Sequence, residues 1–176
     1  IYTIIAALAL PMAVSAQNTE RKLCDFESAD AYRSIMVYDT WENSPFRNNA
    51  IPANIQVVDN HLDAADPVRG FVPNPSRHIL AVQRSRFGSN TFGALVGLKE
   101  PFAQTKTVQY VHVKIYSPKG GPAMLIGLGN RDDRPHQSPL TEQFWATASQ
   151  PLVANHWNDA VFAVSGANGV TIHNLL

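Results

Sequence analysis

A single cysteine, Cys24, stands in 176 residues, and one thiol cannot close an internal disulfide. The fold must therefore rest on packing or on a bound ion, and Cys24 itself reads as a small apolar residue. Charge is scarce as well. Charged side chains make up 16% of the chain, and 14 basic residues cancel 14 acidic ones. Phosphate recognition needs clustered Lys and Arg, so neither nucleic acid nor an anionic membrane surface is an expected partner. The six histidines, at 61, 78, 112, 136, 156 and 173, show no His-x-His or His-Glu-x-x-His spacing, which leaves zinc without support. There is no Gly-x-Ser-x-Gly elbow and no glycine loop leading into a helix to cradle phosphate. No stretch repeats an apolar residue at helical spacing for a useful length.

What the chain does carry is period-two alternation. In residues 108–116, Val111, Val113 and Ile115 alternate with Tyr110, His112, Lys114 and Tyr116. One face is apolar and β-branched, and the other polar and aromatic. Two prolines and two glycines in residues 117–122 suit a turn, and the apolar run 123–128 returns, so the sequence predicts a β-hairpin. Further strands are expected at 22–27, 34–38, 55–60, 78–84 and 93–98. The series continues with an extended edge within 140–154, a strand at 157–165 with Trp157, Val161 and Ala163 inward, and an apolar run at 170–176. Gly, Pro and Asn clusters separate them. About eight or nine strands without helices predict an all-β antiparallel sandwich or jelly roll. No repeat or low-complexity linker divides the chain, so residues 17–176 are expected to form one domain.

Residues 1–16 read as a secretory signal. The apolar core at 4–10 is too short to span a bilayer, Pro11 interrupts it, and Val14-Ser15-Ala16 supplies the small residues a signal peptidase reads before Gln17. A secreted domain, periplasmic, cell-surface or extracellular, follows as the expectation, with no lipid anchor and no membrane insertion. The first residue is not Met and the last lies inside an apolar run, so the sequence is read as a piece of a longer protein, cut short at its C-terminus and with neighbouring domains.

Three short pieces carry a family resemblance: Asp25-Phe26-Glu27, the run Tyr110-Val111-His112-Val113-Lys114-Ile115-Tyr116-Ser117-Pro118-Lys119, and Trp157-Asn158-Asp159-Ala160-Val161-Phe162-Ala163-Val164-Ser165. Together they resemble exported β-sandwich domains of Bacteroidetes similar to carbohydrate-binding modules of the galactose-binding, jelly-roll type. The resemblance implies glycan binding and a structural calcium near the first strand, with Asp25 and Glu27 as ligands. Ala163 stands where such members carry a further carboxylate. Glycan binding asks for exposed aromatic rings beside hydrogen-bonding groups. Tyr110, His112, Lys114 and Tyr116 on one strand face, with Trp41, Arg69 and Trp145 in loops or edges, are the candidate contacts, and Arg47, Asn48 and Asn49 lie in the same loop as Trp41.

No catalytic residue is assigned. Glu42, Asp59, Asp63, Asp66, Glu100 and Glu142 sit in no recognisable catalytic context. The leading expectation is a non-catalytic glycan-binding module. Two other classes stand beside it: a small jelly-roll glycan hydrolase or lyase built on Tyr110, His112 and Lys114, and a structural or adhesive surface domain.

Overall fold

The computed structural model describes residues 20–38, 54–62, 74–83, 93–129 and 142–176. Among these residues lie nine β-strands and one 3-10 turn, Ala29–Ala31. The strands are β1 (Tyr32–Tyr38), β2 (Ile55–Asp59), β3 (His78–Val82), β4 (Gly93–Ala103), β5 (Gln109–Tyr116), β6 (Met124–Leu128), β7 (Glu142–Thr147), β8 (Trp157–Val164) and β9 (Thr171–Leu175). All the pairings are antiparallel. They build a five-stranded sheet in the order β1-β4-β9-β6-β7 and two ribbons, β2-β3 and β5-β8. The all-β expectation and the strand count hold. None of the described helices is long and apolar enough to cross a membrane.

The strand at the centre of the sequence reading is present, but its partner differs. β5 pairs with β8 over its whole length, from Gln109 opposite Val164 to Tyr116 opposite Trp157. β6 pairs instead with β7 and β9. The connection explains the change. Gly120 and Gly121 have φ of +63° and +100°, and a Cβ on Gly120 would strike the backbone of Leu152 and Ala154, so only glycine serves there. Gly121 and Leu152 exchange two backbone hydrogen bonds of 2.9 and 2.7 Å, which ties the turn to the β7–β8 connection. The chain thus crosses from one sheet to the other, and alternation alone cannot distinguish this arch from a hairpin.

The main core forms where those two sheets meet. Val111 from β5, Ala160, Phe162 and Val164 from β8, Leu125 from β6, Phe144 and Ala146 from β7 and Ile172 from β9 make one buried cluster. Val113 and Ile115 pack against it. The inward residues of β8 are therefore Ala160, Phe162 and Val164, whereas Ala163 is exposed and Val161 only half-buried. This reverses the expected phase, and the inward set accounts for it, since Phe162 together with Ala160 and Val164 removes more apolar area from water than Val161 and Ala163 would. Trp157 is buried as expected, but by register it lies on the outer side, where its ring meets Tyr116 edge-on at 5.7 Å.

Other differences are local. Residues 22–27 form no strand; Phe26 has φ +59°, and the N–H of Glu27 donates to Asp25 Oδ1 at 3.1 Å, so an Asx-type turn replaces the ladder. Leu23 still reaches the core. β4 runs on to Ala103, past the expected end at Leu98, by pairing Phe102 and Ala103 with Ile172 and Thr171. The apolar run at 170–176 becomes β9, between β4 and β6. The second face of the five-stranded sheet carries its own cluster, Leu95, Ile126 and Leu128, with Met36, Tyr38 and Leu176 packed on it.

Two substitutions test this packing. Phe162→Ala removes a side chain that is 1% exposed and should cost about 3–5 kcal/mol in urea unfolding. Gly127→Ala should cost about 1–3 kcal/mol, because a Cβ at Gly127 collides with the Phe144 ring that pairs across from it; an unchanged midpoint for either would contradict the shared core.

Candidate functional site

Residues directly opposite in an antiparallel pair project to the same side. The β5–β8 register therefore places Tyr110 beside Ala163, His112 beside Val161, Lys114 beside Asp159 and Tyr116 beside Trp157 on one face. That face points away from the core, because Val111 and Phe162 occupy the other. Tyr110 is 67% exposed, His112 and Lys114 are exposed, and Tyr116 is half-buried against Trp157. At a strand rise of about 3.3–3.4 Å per residue, Tyr110 and Tyr116 lie about 20 Å apart. The strip between them holds an ammonium, an imidazole and a carboxylate. His112 Nδ1 lies 2.8 Å from Asp159 Oδ2, a contact made diagonally across the two strands. Four candidates from the sequence are thus brought together, and Asp159 joins them. The sequence signal for Asp159 was weak, since its relevance depends on which strand pairs with β5.

The Tyr116 end of the strip is stiffly built. The N–H groups of Lys119 and Gly120 donate to Ser117 Oγ at 3.4 and 3.1 Å, and Asn155, at φ +61°, donates its N–H to the Ser117 carbonyl at 2.9 Å. The Asn158 side chain accepts from the Val153 N–H at 2.8 Å and donates to the carbonyls of Val153, His156 and Ile115 at 3.0, 2.9 and 3.3 Å. Such a network holds Trp157 and Tyr116 in place, while Tyr110 at the other end stands open.

Trp145 does not join the strip. It pairs with Ile126, which belongs to the cluster on the second face of the five-stranded sheet, so Trp145 and Tyr110 look out from opposite sides. Trp145 is 53% exposed, and its indole N–H donates to Glu142 Oε2 at 2.7 Å. Across that same face, burial pushes the Tyr38 hydroxyl up from its ordinary value, and the Glu142 charge adds to the shift. Trp41, Arg47, Asn48, Asn49 and Arg69 lie outside the described residues.

The proposed calcium ligands have other partners. Asp25 accepts from Lys22 Nζ at 3.2 Å through Oδ2 and from the Glu27 N–H through Oδ1. Glu27 accepts from the Arg77 N–H at 2.8 Å through Oε1, and its Oε2 lies 3.1 Å from His78 Nδ1. His78 Nε2 is 3.4 Å from Asp59 Oδ1, so the ring is flanked by a carboxylate on each side. Calcium takes six to eight converging oxygens. Here both carboxylates are engaged by protein donors, and no group of three or more His, Cys, Asp or Glu among the described residues is arranged to hold a metal. Glu27 clasps the N-terminal segment to the β2–β3 ribbon. Cys24 is half-buried, and burial raises its thiol above the ordinary value, which suits an unreactive residue.

The Glu27 clasp has a definite pH dependence. Desolvation raises the Glu27 carboxyl, but the Arg77 N–H and His78 outweigh it, and the net shift is downward from 4.5. A depressed folded-state value means the contribution is complete above about 4.5 and is lost as pH falls through that lower value. Protection of the Arg77 amide against hydrogen exchange should therefore fall on acidification below that range. Glu27→Gln should remove the dependence, even though Asp25, whose carboxyl is also lowered by the Glu27 N–H and Lys22, still titrates; an unaltered acid profile in Glu27→Gln would assign it to other groups. Compared with known proteins, the chain matches no family model, no curated protein and no solved structure.

Proposed function

We propose that this chain is a secreted, non-catalytic glycan-binding module of the jelly-roll β-sandwich type, and that its glycan lies along the outer face of the β5–β8 ribbon. The observation that supports this reading most is the exposed strip itself. A tyrosine ring open to solvent, an imidazole, an ammonium and a carboxylate follow one another on a face whose opposite side is fully committed to the core. Aromatic faces stack on the C–H faces of sugar rings, and the polar groups between them exchange hydrogen bonds with hydroxyls. A shallow, ribbon-wide surface suits an extended chain better than an enclosed small molecule. The leader at residues 1–16 supports export, toward a setting where polysaccharide is met.

The His112–Asp159 pair favours one alternative, a hydrolase or lyase in which the imidazole moves a proton. Binding and turnover separate the two. In affinity electrophoresis against neutral and acidic polysaccharides, the chain should be retarded by at least one without releasing reducing or unsaturated ends. Tyr110→Ala should weaken that retardation by up to about tenfold, the value of one stacked ring. Trp145→Ala should leave it unchanged, because Trp145 faces the other side. Retardation by no polysaccharide, or an effect of Trp145→Ala alone, sinks the proposed surface, and product release would make the chain an enzyme.

A further inference from the structure

We propose that Asp159 is a positioning residue that locks neutral His112 in the Nδ1–H tautomer, so that Nε2 presents a lone pair to a hydroxyl of the bound ligand. The role in recognition rests on the glycan reading; the tautomer itself does not.

A deprotonated carboxylate has only acceptor capacity. With Asp159 Oδ2 only 2.8 Å from His112 Nδ1, the neutral ring keeps its single proton on Nδ1, since a lone pair there would face an anion at hydrogen-bond distance. Nε2 is then an acceptor by elimination. The His112 side chain is 57% exposed and that of Asp159 32%, so the carboxylate is the more enclosed of the two and the imidazole the more open to a ligand. The strands enforce the pairing. Asp159 stands directly opposite Lys114 and diagonally from His112, which leaves one carboxylate between two nitrogenous groups on the same face. Lys114 can only donate, and His112 Nε2 only accepts. The face thus offers an acceptor next to a donor, a combination that answers neighbouring hydroxyls, each able to donate and to accept. A ligand bearing only acceptors along its edge would meet the Nε2 lone pair unfavourably. Without Asp159 the ring is free to place its proton on Nε2 and lose that discrimination.

The test reads the imidazole nitrogens of the intact chain by long-range ¹H–¹⁵N NMR under mildly alkaline conditions, with polysaccharide affinity measured on the same samples. The wild type should show a protonated, pyrrole-like Nδ1 and a bare, pyridine-like Nε2. In Asp159→Ala no side-chain acceptor holds the proton at Nδ1, and Nε2 should become protonated. Affinity should fall about threefold to tenfold, the range of one hydrogen bond, while amide spectra show an intact fold. Asp159→Glu, which keeps a carboxylate within reach, should restore the Nδ1–H pattern and part of the affinity. An Nε2–H tautomer in the wild type, or an Nδ1–H tautomer that persists in Asp159→Ala, overturns the positioning role. An inverted tautomer with unchanged affinity overturns its part in recognition. If the tautomers behave as expected but no polysaccharide binds the wild type, the positioning stands and the glycan reading fails.

Discussion

The pairing of β5 with β8 is the constraint on which the remainder depends. One side of that ribbon, Val111, Phe162 and Val164, closes the main core against Leu125, Phe144, Ala146 and Ile172. The other side becomes the exposed strip because the first is committed. A strand has only two faces and successive residues alternate between them, so each core residue fixes the outward direction of its neighbours. Phe162 inward makes Val161 and Ala163 outward, and Val111 inward makes Tyr110 and His112 outward. A one-residue slip of β8 would bury Asp159 and expose Phe162.

The candidate site is a consequence of this arrangement rather than an addition to it. Tyr110, His112 and Lys114 come from one strand and Asp159 from another, and they meet only because the two run side by side in this register. At the Tyr116 end, the Gly121–Leu152 exchange and the Asn158 hydrogen bonds hold the arch that lets β5 and β6 occupy different sheets. The arch that redirects the chain also steadies the aromatic end of the strip. The polar clasp at Glu27, His78 and Asp59 lies on another ribbon. Its partners belong to the protein, and its work is to secure the segment before β1.

Much of the strand content was legible in the residues. Alternation in 108–116, the apolar runs at 93–98 and 123–128, and the Gly, Pro and Asn clusters between them located strands that exist. The outward set Tyr110, His112, Lys114 and Tyr116 was readable for the same reason. The first segment reads as a strand because Leu23 and Phe26 look like strand residues, while the turn depends on Asp25 accepting the Glu27 N–H and on a positive φ at Phe26, neither of which hydrophobic pattern reports. The phase of β8 is ambiguous in the sequence because both faces carry apolar residues, Trp157, Val161 and Ala163 on one and Ala160, Phe162 and Val164 on the other. Volume packed against the facing sheet decides between them.

The sequence by itself determined that this protein is built of antiparallel strands and that one of them shows a polar, aromatic face, because period two is a property of the chain and needs no partner. Only the tertiary structure decided which strands lie together. Hydrogen-bonded ladders are non-local, and any of several alternating segments could have satisfied β5. The choice of β8 brought Asp159 to His112 and separated Trp145 from Tyr110 by the thickness of the packed sheets. Tertiary structure likewise brought the Glu27 carboxylate to the Arg77 N–H and His78, 50 and 51 residues away in the chain.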